Sequence, residues 1–98
     1  MSSREAYARR LQTQIAEWQT QIADYQAVIQ ESAGDLKATH EKNLETVQTA
    51  LKQAMDIHEQ VRQANETAWQ HMQASTEAAV KQLATGWLDA IESYRPKR

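Results

Sequence analysis

The sequence contains no cysteine and no phenylalanine, and it has only two glycines and one proline among 98 residues. The absence of cysteine excludes disulfides, thiolate nucleophiles and Cys-ligated metals. The scarcity of glycine and proline removes most turn-forming residues, while abundant Ala, Gln and Glu favour helices. An all-α fold is therefore predicted. A chain this short also forms at most one small domain, residues 1–98, without a deep active-site cleft.

Long apolar runs and a strong charge of one sign are also missing. The longest uncharged apolar runs are only a few residues, too short for a transmembrane helix or for the apolar region of a secretory signal. We therefore expect a soluble, cytoplasmic protein. The net charge of −2 is too small to indicate nucleic acid as a partner. Cations are concentrated at both ends, and residues 95–98 form a basic tail that suits the negative end of a helix.

The first third of the chain has a heptad pattern, in which apolar residues alternate at spacings of three and four. This pattern is typical of a helix that packs against another helix. Ser2 and Glu5 fit a capping box at its start. Helix 1 is therefore predicted over about residues 3–31. Its apolar face consists of Leu11, Ile15, Trp18, Ile22, Tyr25 and Ile29.

A turn is predicted over about residues 32–35. Gly34 suits a left-handed helix C-cap, and Asp35 suits the N-cap of the following helix. The heptad pattern nevertheless continues through this segment, because Leu36 follows Ile29 by seven residues. One continuous helix of about ninety residues is therefore the alternative.

The rest of the chain carries an apolar repeat of eleven residues. Eleven residues make three helical turns, so the repeat keeps one face of a nearly straight helix apolar. It predicts a long helix 2 over about residues 35–94. A break near residues 75–77, where Thr76 would cap a third helix, is the alternative. The predicted apolar face consists of Leu36, Val47, Leu51, His58, Val61, Trp69, Met72, Val80, Leu83, Trp87, Ile91 and Tyr94.

The unequal lengths of the two helices predict an oligomer. Helix 1 would be about 42 Å long and helix 2 about 90 Å, so an antiparallel hairpin leaves about half of helix 2 uncovered. The uncovered half would expose a larger apolar patch than soluble monomers usually do. We therefore expect an antiparallel homodimer that forms a three- or four-helix bundle or coiled coil. A chain with a broken helix 2 would instead close on itself as a monomer.

Metal and catalytic motifs fail on spacing. Ferritin-like bundles place a Glu three residues before a His, but His40, His58 and His71 lack it. The zinc motif HExxH also fails, because Leu44 and Arg62 stand where its second His belongs. We predict no catalytic residue, no cofactor and no metal site. Histidines beside the apolar face more readily fix helix register, and a bundle that holds a metal or cofactor through these three histidines is a weaker alternative.

The tryptophans, Trp18, Trp69 and Trp87, are in phase with the apolar faces. Their phase favours core packing, with each indole N–H reaching a polar rim. The alternative is an amphipathic surface that docks reversibly on lipid or on a hydrophobic granule. The polar faces are rich in Gln, Glu and Thr instead of Lys and Arg, which counts against lipid.

Aromatic and aliphatic residues at helical spacing also carry a family resemblance. They are Tyr7, Leu11, Trp18 and Ile22 in helix 1, and Ala64, Glu66, Ala68, Trp69 and Met72 in helix 2. In this order the sequence resembles the small bacterial coiled-coil-domain proteins, some of which are stress-response proteins. The resemblance implies a helical, self-associating accessory protein without catalytic residues. We therefore expect a non-enzymatic interaction or scaffolding protein whose partner is a second copy or an unknown protein.

Overall fold

The computed structural model describes residues 3–92, which form three α-helices. Helix α1 is Ser3–Glu31, α2 is Gly34–Gln63 and α3 is Glu66–Glu92. They contain 29, 30 and 27 residues, so each is about 40–45 Å long. No strand occurs in this part of the chain. The all-α prediction is confirmed.

Helix α1 occupies the residues predicted for helix 1 and follows the heptad pattern. Its buried residues are Tyr7, Leu11, Ile15, Trp18, Ile22, Tyr25 and Ile29. The alternation of three- and four-residue steps places all of these side chains on one face of the helix. The opposite face of α1 is exposed to solvent.

Two residues, Ser32 and Ala33, separate α1 from α2. The Ser32 N–H donates to the carbonyl of Ile29 at 3.1 Å, and its hydroxyl donates to the carbonyl of Val28 at 2.8 Å. These bonds satisfy carbonyls that the last turn of a helix leaves without partners. The chain therefore reverses here, and the alternative of one continuous helix is wrong.

At the start of α2, Gly34 has the left-handed conformation that was predicted for it, whereas Asp35 does not have its predicted role. Gly34 has φ +66°, a conformation that glycine adopts without the steric penalty that a Cβ brings. Asp35 is not the N-cap as predicted, because the N-cap is Ala33, which makes no side-chain cap hydrogen bond. The Asp35 side chain lies instead in the first turn of α2, where a carboxylate is favoured by the positive end of the helix dipole.

Helices α1 and α2 pack antiparallel. Tyr25 makes an edge contact with His40 close to the Ser32–Ala33 turn. At the other end of the pair, Arg4 reaches the carbonyl of Val61. Residues equally distant from the turn therefore lie side by side. The buried residues of α2 are spaced by seven and are His40, Val47, Ala54 and Val61.

The predicted long helix 2 is wrong, because α2 ends at Gln63 and α3 begins at Glu66. Ala64 is extended, with φ −71° and ψ 142°. The side-chain oxygen of Asn65 accepts a hydrogen bond from the N–H of Ala68 at 2.8 Å. Asn65 therefore acts as the N-cap of α3, a role in which Asn is among the preferred residues.

The alternative break near residues 75–77 is also wrong. These residues lie in the interior of α3. Thr76 caps no helix and is buried, with 7% of its surface exposed. The eleven-residue repeat nevertheless describes α3 well, because Trp69, Val80 and Ile91 all face the interior of the bundle.

Helix α3 covers the apolar surface for which a second copy was predicted. Trp69 and Trp87 contact aromatic side chains of α1, and with Ile91 they are at most 2% exposed. The premise of the predicted dimer is therefore wrong, because the chain buries this flank with its own third helix. The three helices form a bundle in which α1 and α3 are parallel.

Arg4 connects all three helices at the end of the bundle where α2 and α3 meet. Its Nη1 donates to the carbonyls of Val61 and Arg62, at 3.5 and 3.1 Å. Its Nε lies 3.9 Å from a carboxylate oxygen of Glu66. A cation is favoured beside the unpaired carbonyls of a helix C-terminus. The first turn of α1 thus holds the junction between α2 and α3 in place.

Replacing the cap of α3 tests the importance of this junction. We expect Asn65→Ala to lower the free energy of unfolding by about 1 kcal/mol, because the N–H of Ala68 loses its acceptor. Urea denaturation followed by circular dichroism measures the change. The control Gln70→Ala, on the exposed surface of α3, is expected to change stability by less than about 0.5 kcal/mol. Equal stabilities of N65A and the wild type would contradict the capping role.

Candidate functional site

Most of the predicted apolar residues lie in the core. The buried ones are Leu11, Ile15, Trp18, Ile22, Tyr25, Ile29, Val47, Val61, Trp69, Trp87 and Ile91. The half-buried ones are Leu51, His58, Met72, Val80 and Leu83. Leu36 is 61% exposed, and it lies in the first turn of α2. Tyr94 lies outside the described residues.

Four buried residues were missing from the predicted face: Tyr7, His40, Ala54 and Thr76. The heptad pattern could have found two of them, because His40 and Ala54 are spaced by seven from Val47. The prediction followed the eleven-residue repeat instead, so it placed His40 only beside the apolar face and left Ala54 out.

Aromatic side chains bridge α1 and α3. Trp18 stacks on Trp87 with ring centroids 4.4 Å apart and an interplanar angle of 10°. Toward the other end of the bundle, Trp69 packs against Tyr7 with centroids 5.2 Å apart. Both geometries lie within the range of favourable aromatic pairs. The tryptophans therefore belong to the core.

The indole N–H groups of these bridges donate to α1. Trp69 Nε1 donates to Ser3 Oγ at 3.1 Å, and Trp87 Nε1 donates to Gln21 Oε1. The two donors are 18 residues apart, as are the two acceptors. Eighteen residues make five helical turns, so both bonds recur on the same faces of α1 and α3. A lipid-docking surface built on these indoles would have to break both bonds.

A groove between α1 and α3 lies between the two aromatic bridges and has a volume of about 360 Å³. The Arg10 guanidinium lies 5.8 Å from the centroid of the Tyr7 ring. Burial and the Glu77 carboxylate raise the pKa of Tyr7, and Arg10 opposes them. The lining residues are Tyr7, Arg10, Leu11, Gln14, Glu77, Val80, Lys81 and Ala84.

The larger groove lies between α2 and α3, and we call it the α2–α3 groove. It consists of two adjoining stretches of about 500 and 410 Å³. Its floor is apolar and includes Val47, Ala50, Ile57, Leu83 and Trp87. Its walls are small or uncharged and include Thr46, Thr49, Gln53, Ala79, Gln82 and Gly86. Charged residues occur in α2 only, at Lys42, Glu45 and Asp56.

Gly86 lines this groove within the interior of α3. A glycine at such a position costs a helix about 1 kcal/mol relative to alanine. A Cβ added at Gly86 would meet no atom within 4 Å, so the packing of this chain does not require a glycine. Its effect is to leave the wall of the α2–α3 groove open.

The histidines are placed too differently to form one site. His40 is buried, and its Nδ1 lies 3.4 Å from the hydroxyl of Tyr25. His58 is half-buried 18 residues further along α2, which separates the two by about 27 Å along the helix axis. His71 is exposed on α3. Within residues 3–92, no group of three His, Cys, Asp or Glu side chains could hold a metal ion.

An exposed ion pair lies near the end of α2. Arg62 Nη2 is 3.0 Å from Glu59 Oε1, and Gln63 donates to the same carboxylate at 2.9 Å. The hydrogen bond from Arg62 is the main cause of a lowered pKa of Glu59. Exposed pairs of this kind contribute little to stability, and this one lies outside both grooves.

In comparisons with protein-family models, with curated proteins and with solved structures, no match was found. The helices between Ser3 and Glu92 include none that is long and apolar enough to cross a membrane. The resemblance to bacterial coiled-coil-domain proteins therefore stays a prediction. The geometry of the α2–α3 groove is left as the main guide to function.

The raised pKa of Tyr7 predicts a pH dependence of stability. An acid whose pKa is higher in the folded state stabilises that state below its unfolded pKa, which is near 10.0. This contribution is lost as the pH rises from about 10 through the folded pKa. We expect the wild type to lose more stability than Tyr7→Phe over this range, as measured by urea denaturation. Parallel curves for the two proteins would show that Tyr7 titrates normally.

The two glycines predict opposite effects of the same substitution. Gly86→Ala is expected to raise the free energy of unfolding by about 1 kcal/mol, because helix propensity improves without a clash. Gly34→Ala is the matched control, and it is expected to lower stability by about 1 kcal/mol because φ is positive there. Thermal and urea denaturation measure both. A destabilised G86A would mean that Gly86 is required within the chain.

Proposed function

We propose that this chain is a non-enzymatic helical interaction module whose binding surface is the α2–α3 groove. The observation that carries the proposal is the combination of an apolar floor with an uncharged α3 wall, since the charged lining residues Lys42, Glu45 and Asp56 all belong to α2. Protein interfaces are depleted of charged residues at their centres. Desolvating Thr, Ala, Gln and Gly walls costs less than desolvating ionised side chains. The groove therefore suits a protein partner.

The dimensions of the groove favour a helix as the bound element. Its lining runs from Lys42 to Ile57 on α2, which is about 22 Å or four helical turns. Helices pack with their axes 8–10 Å apart when the contacting side chains permit it. Small residues such as Ala79 and Gly86 on the α3 wall allow close approach. A fourth helix in this groove would extend the three-helix bundle.

The same surface supports the role expected from the family resemblance. A self-associating accessory or stress-response protein needs a surface for partners and no catalytic centre. The α2–α3 groove provides such a surface without requiring the core to open. Lipid or granule binding is the weaker proposal, because Trp18, Trp69 and Trp87 are each at most 2% exposed and would have to leave the core.

Comparing the proteins captured by groove variants tests this function. Ala79→Glu adds a carboxylate to the wall of the groove, while Thr85→Glu adds the same charge to an exposed site of α3 outside it. Tagged wild type, A79E and T85E are recovered from cells of the native host that also produce an untagged copy. Mass spectrometry then quantifies the proteins captured by each. Circular dichroism confirms that all three fold.

We expect the wild type and T85E to capture the same proteins, and A79E to lose at least one of them. Equal capture by all three baits would contradict the groove as the binding surface. Flotation of the purified chain with anionic vesicles tests the lipid proposal, and binding that A79E retains would favour lipid over a protein partner.

A further inference from the structure

One edge of α2 carries a row of five residues at heptad spacing, with Thr49 at its centre. The row consists of Asp35, Lys42, Thr49, Asp56 and Gln63. Residues seven apart lie on one side of a helix, about 10 Å from each other along its axis. Lys42, Thr49 and Asp56 line the α2–α3 groove. The charges of this row therefore border the proposed binding surface.

The charges of this row have no ion-pair partner among residues 3–92. The ion pairs between residues 3 and 92 join Arg4 to Glu5 and Glu66, and Arg62 to Glu59. Lys42 and Asp56 take part in none of them. Two opposite charges beside an apolar groove are thus available to a binding partner.

The centre of the row coincides with the centre of the helix. Thr49 lies within one residue of the midpoint of α2, Gly34–Gln63. A twofold axis at Thr49, perpendicular to the helix, superimposes α2 on an antiparallel α2 of a second copy along its full length. Lys42 of each copy then lies opposite Asp56 of the other. Asp35 lies opposite Gln63, so no like charges of the row face each other.

A parallel arrangement is unfavourable by the same reasoning. It would place Lys42 opposite its own equivalent and Asp56 opposite its own equivalent. Like charges across an interface suppress the wrong arrangement, and opposite charges fix the register. The row therefore distinguishes between the two orientations.

The face formed by α2 and α3 is large enough for a stable dimer. The face formed by α2 and α3 is about 40 Å long and about 20 Å wide, from the rise per residue and the usual spacing of packed helices. Its area is about 800 Å² per copy, which matches a standard protein–protein interface. The open wall at Gly86 allows the two faces to approach closely.

From these observations, and resting on the proposed function, we infer that the partner of the α2–α3 groove is a second copy of this chain. The two copies dock antiparallel about a twofold axis at Thr49, with Lys42 of each copy paired to Asp56 of the other. This dimer differs from the one predicted from the sequence, because it joins two closed three-helix bundles and leaves their cores intact.

Charge reversal tests the pairing. Sedimentation and light scattering of the wild type at micromolar concentration are expected to give twice the chain mass of 11.2 kDa. Lys42→Glu and Asp56→Lys are each expected to weaken the dimer about tenfold or more, because each creates two repulsive contacts. Lys81→Glu, which makes the same charge change on the α1–α3 side, is the control and is expected to retain the dimer mass.

Mixing the two reversed variants gives the sharpest result. An equimolar mixture of K42E and D56K is expected to restore the dimer, because each reversed residue then meets an opposite charge in the other copy. The double variant is expected to dimerise with itself for the same reason. Circular dichroism shows whether each variant is folded.

A folded wild type that stays monomeric would overturn the inference. So would a dimer that K42E and D56K leave unchanged, or one that mixing does not restore. If A79E still loses a captured protein after any of these three results, the proposed interaction function stands. Only the identity or the placement of the partner is then wrong. If all baits capture the same proteins, the proposed function fails as well.

Discussion

The reversal of the chain at Ala64 and Asn65 is the constraint on which the rest of the structure depends. It converts what would be one long helix into α2 and α3, and it brings the apolar face of α3 back onto α1. Two polar interactions hold it: the Asn65 side chain caps α3, and the Arg4 guanidinium binds the last carbonyls of α2. Because Arg4 belongs to α1, the junction forms fully only when all three helices are assembled.

The aromatic bridges determine how the third helix is seated. Stacking of Trp18 on Trp87 and packing of Trp69 against Tyr7 span the space between α1 and α3. The indole N–H groups bond to α1 at two places five turns apart, which fixes the register of these parallel helices. The α3 residues that line the α2–α3 groove carry no charge, and two of them, Ala79 and Gly86, are small.

Stability and proposed function therefore make different demands on α3. One side of the helix buries aromatic rings and secures the bundle. The other side keeps a glycine that the fold does not require and a surface without charge. A residue that weakens a helix without serving its packing is expected where a protein meets a partner. The proposed interaction function explains the side of α3 that faces the α2–α3 groove, and core packing explains the side with the aromatic rings.

The sequence by itself determined the helical content, the extent of α1 and the left-handed glycine at residue 34, because heptad spacing and glycine chemistry act locally. It did not determine the end of α2. Asn65 favours a new helix start, whereas the uninterrupted apolar repeat favours one continuous helix. A helix N-cap contributes only about 1 kcal/mol to stability. Truncating a buried tryptophan such as Trp69 or Trp87 to alanine costs about 3–5 kcal/mol. Only the tertiary structure, in which both indoles contact α1, decided that the helix breaks and that the chain covers its own apolar flank.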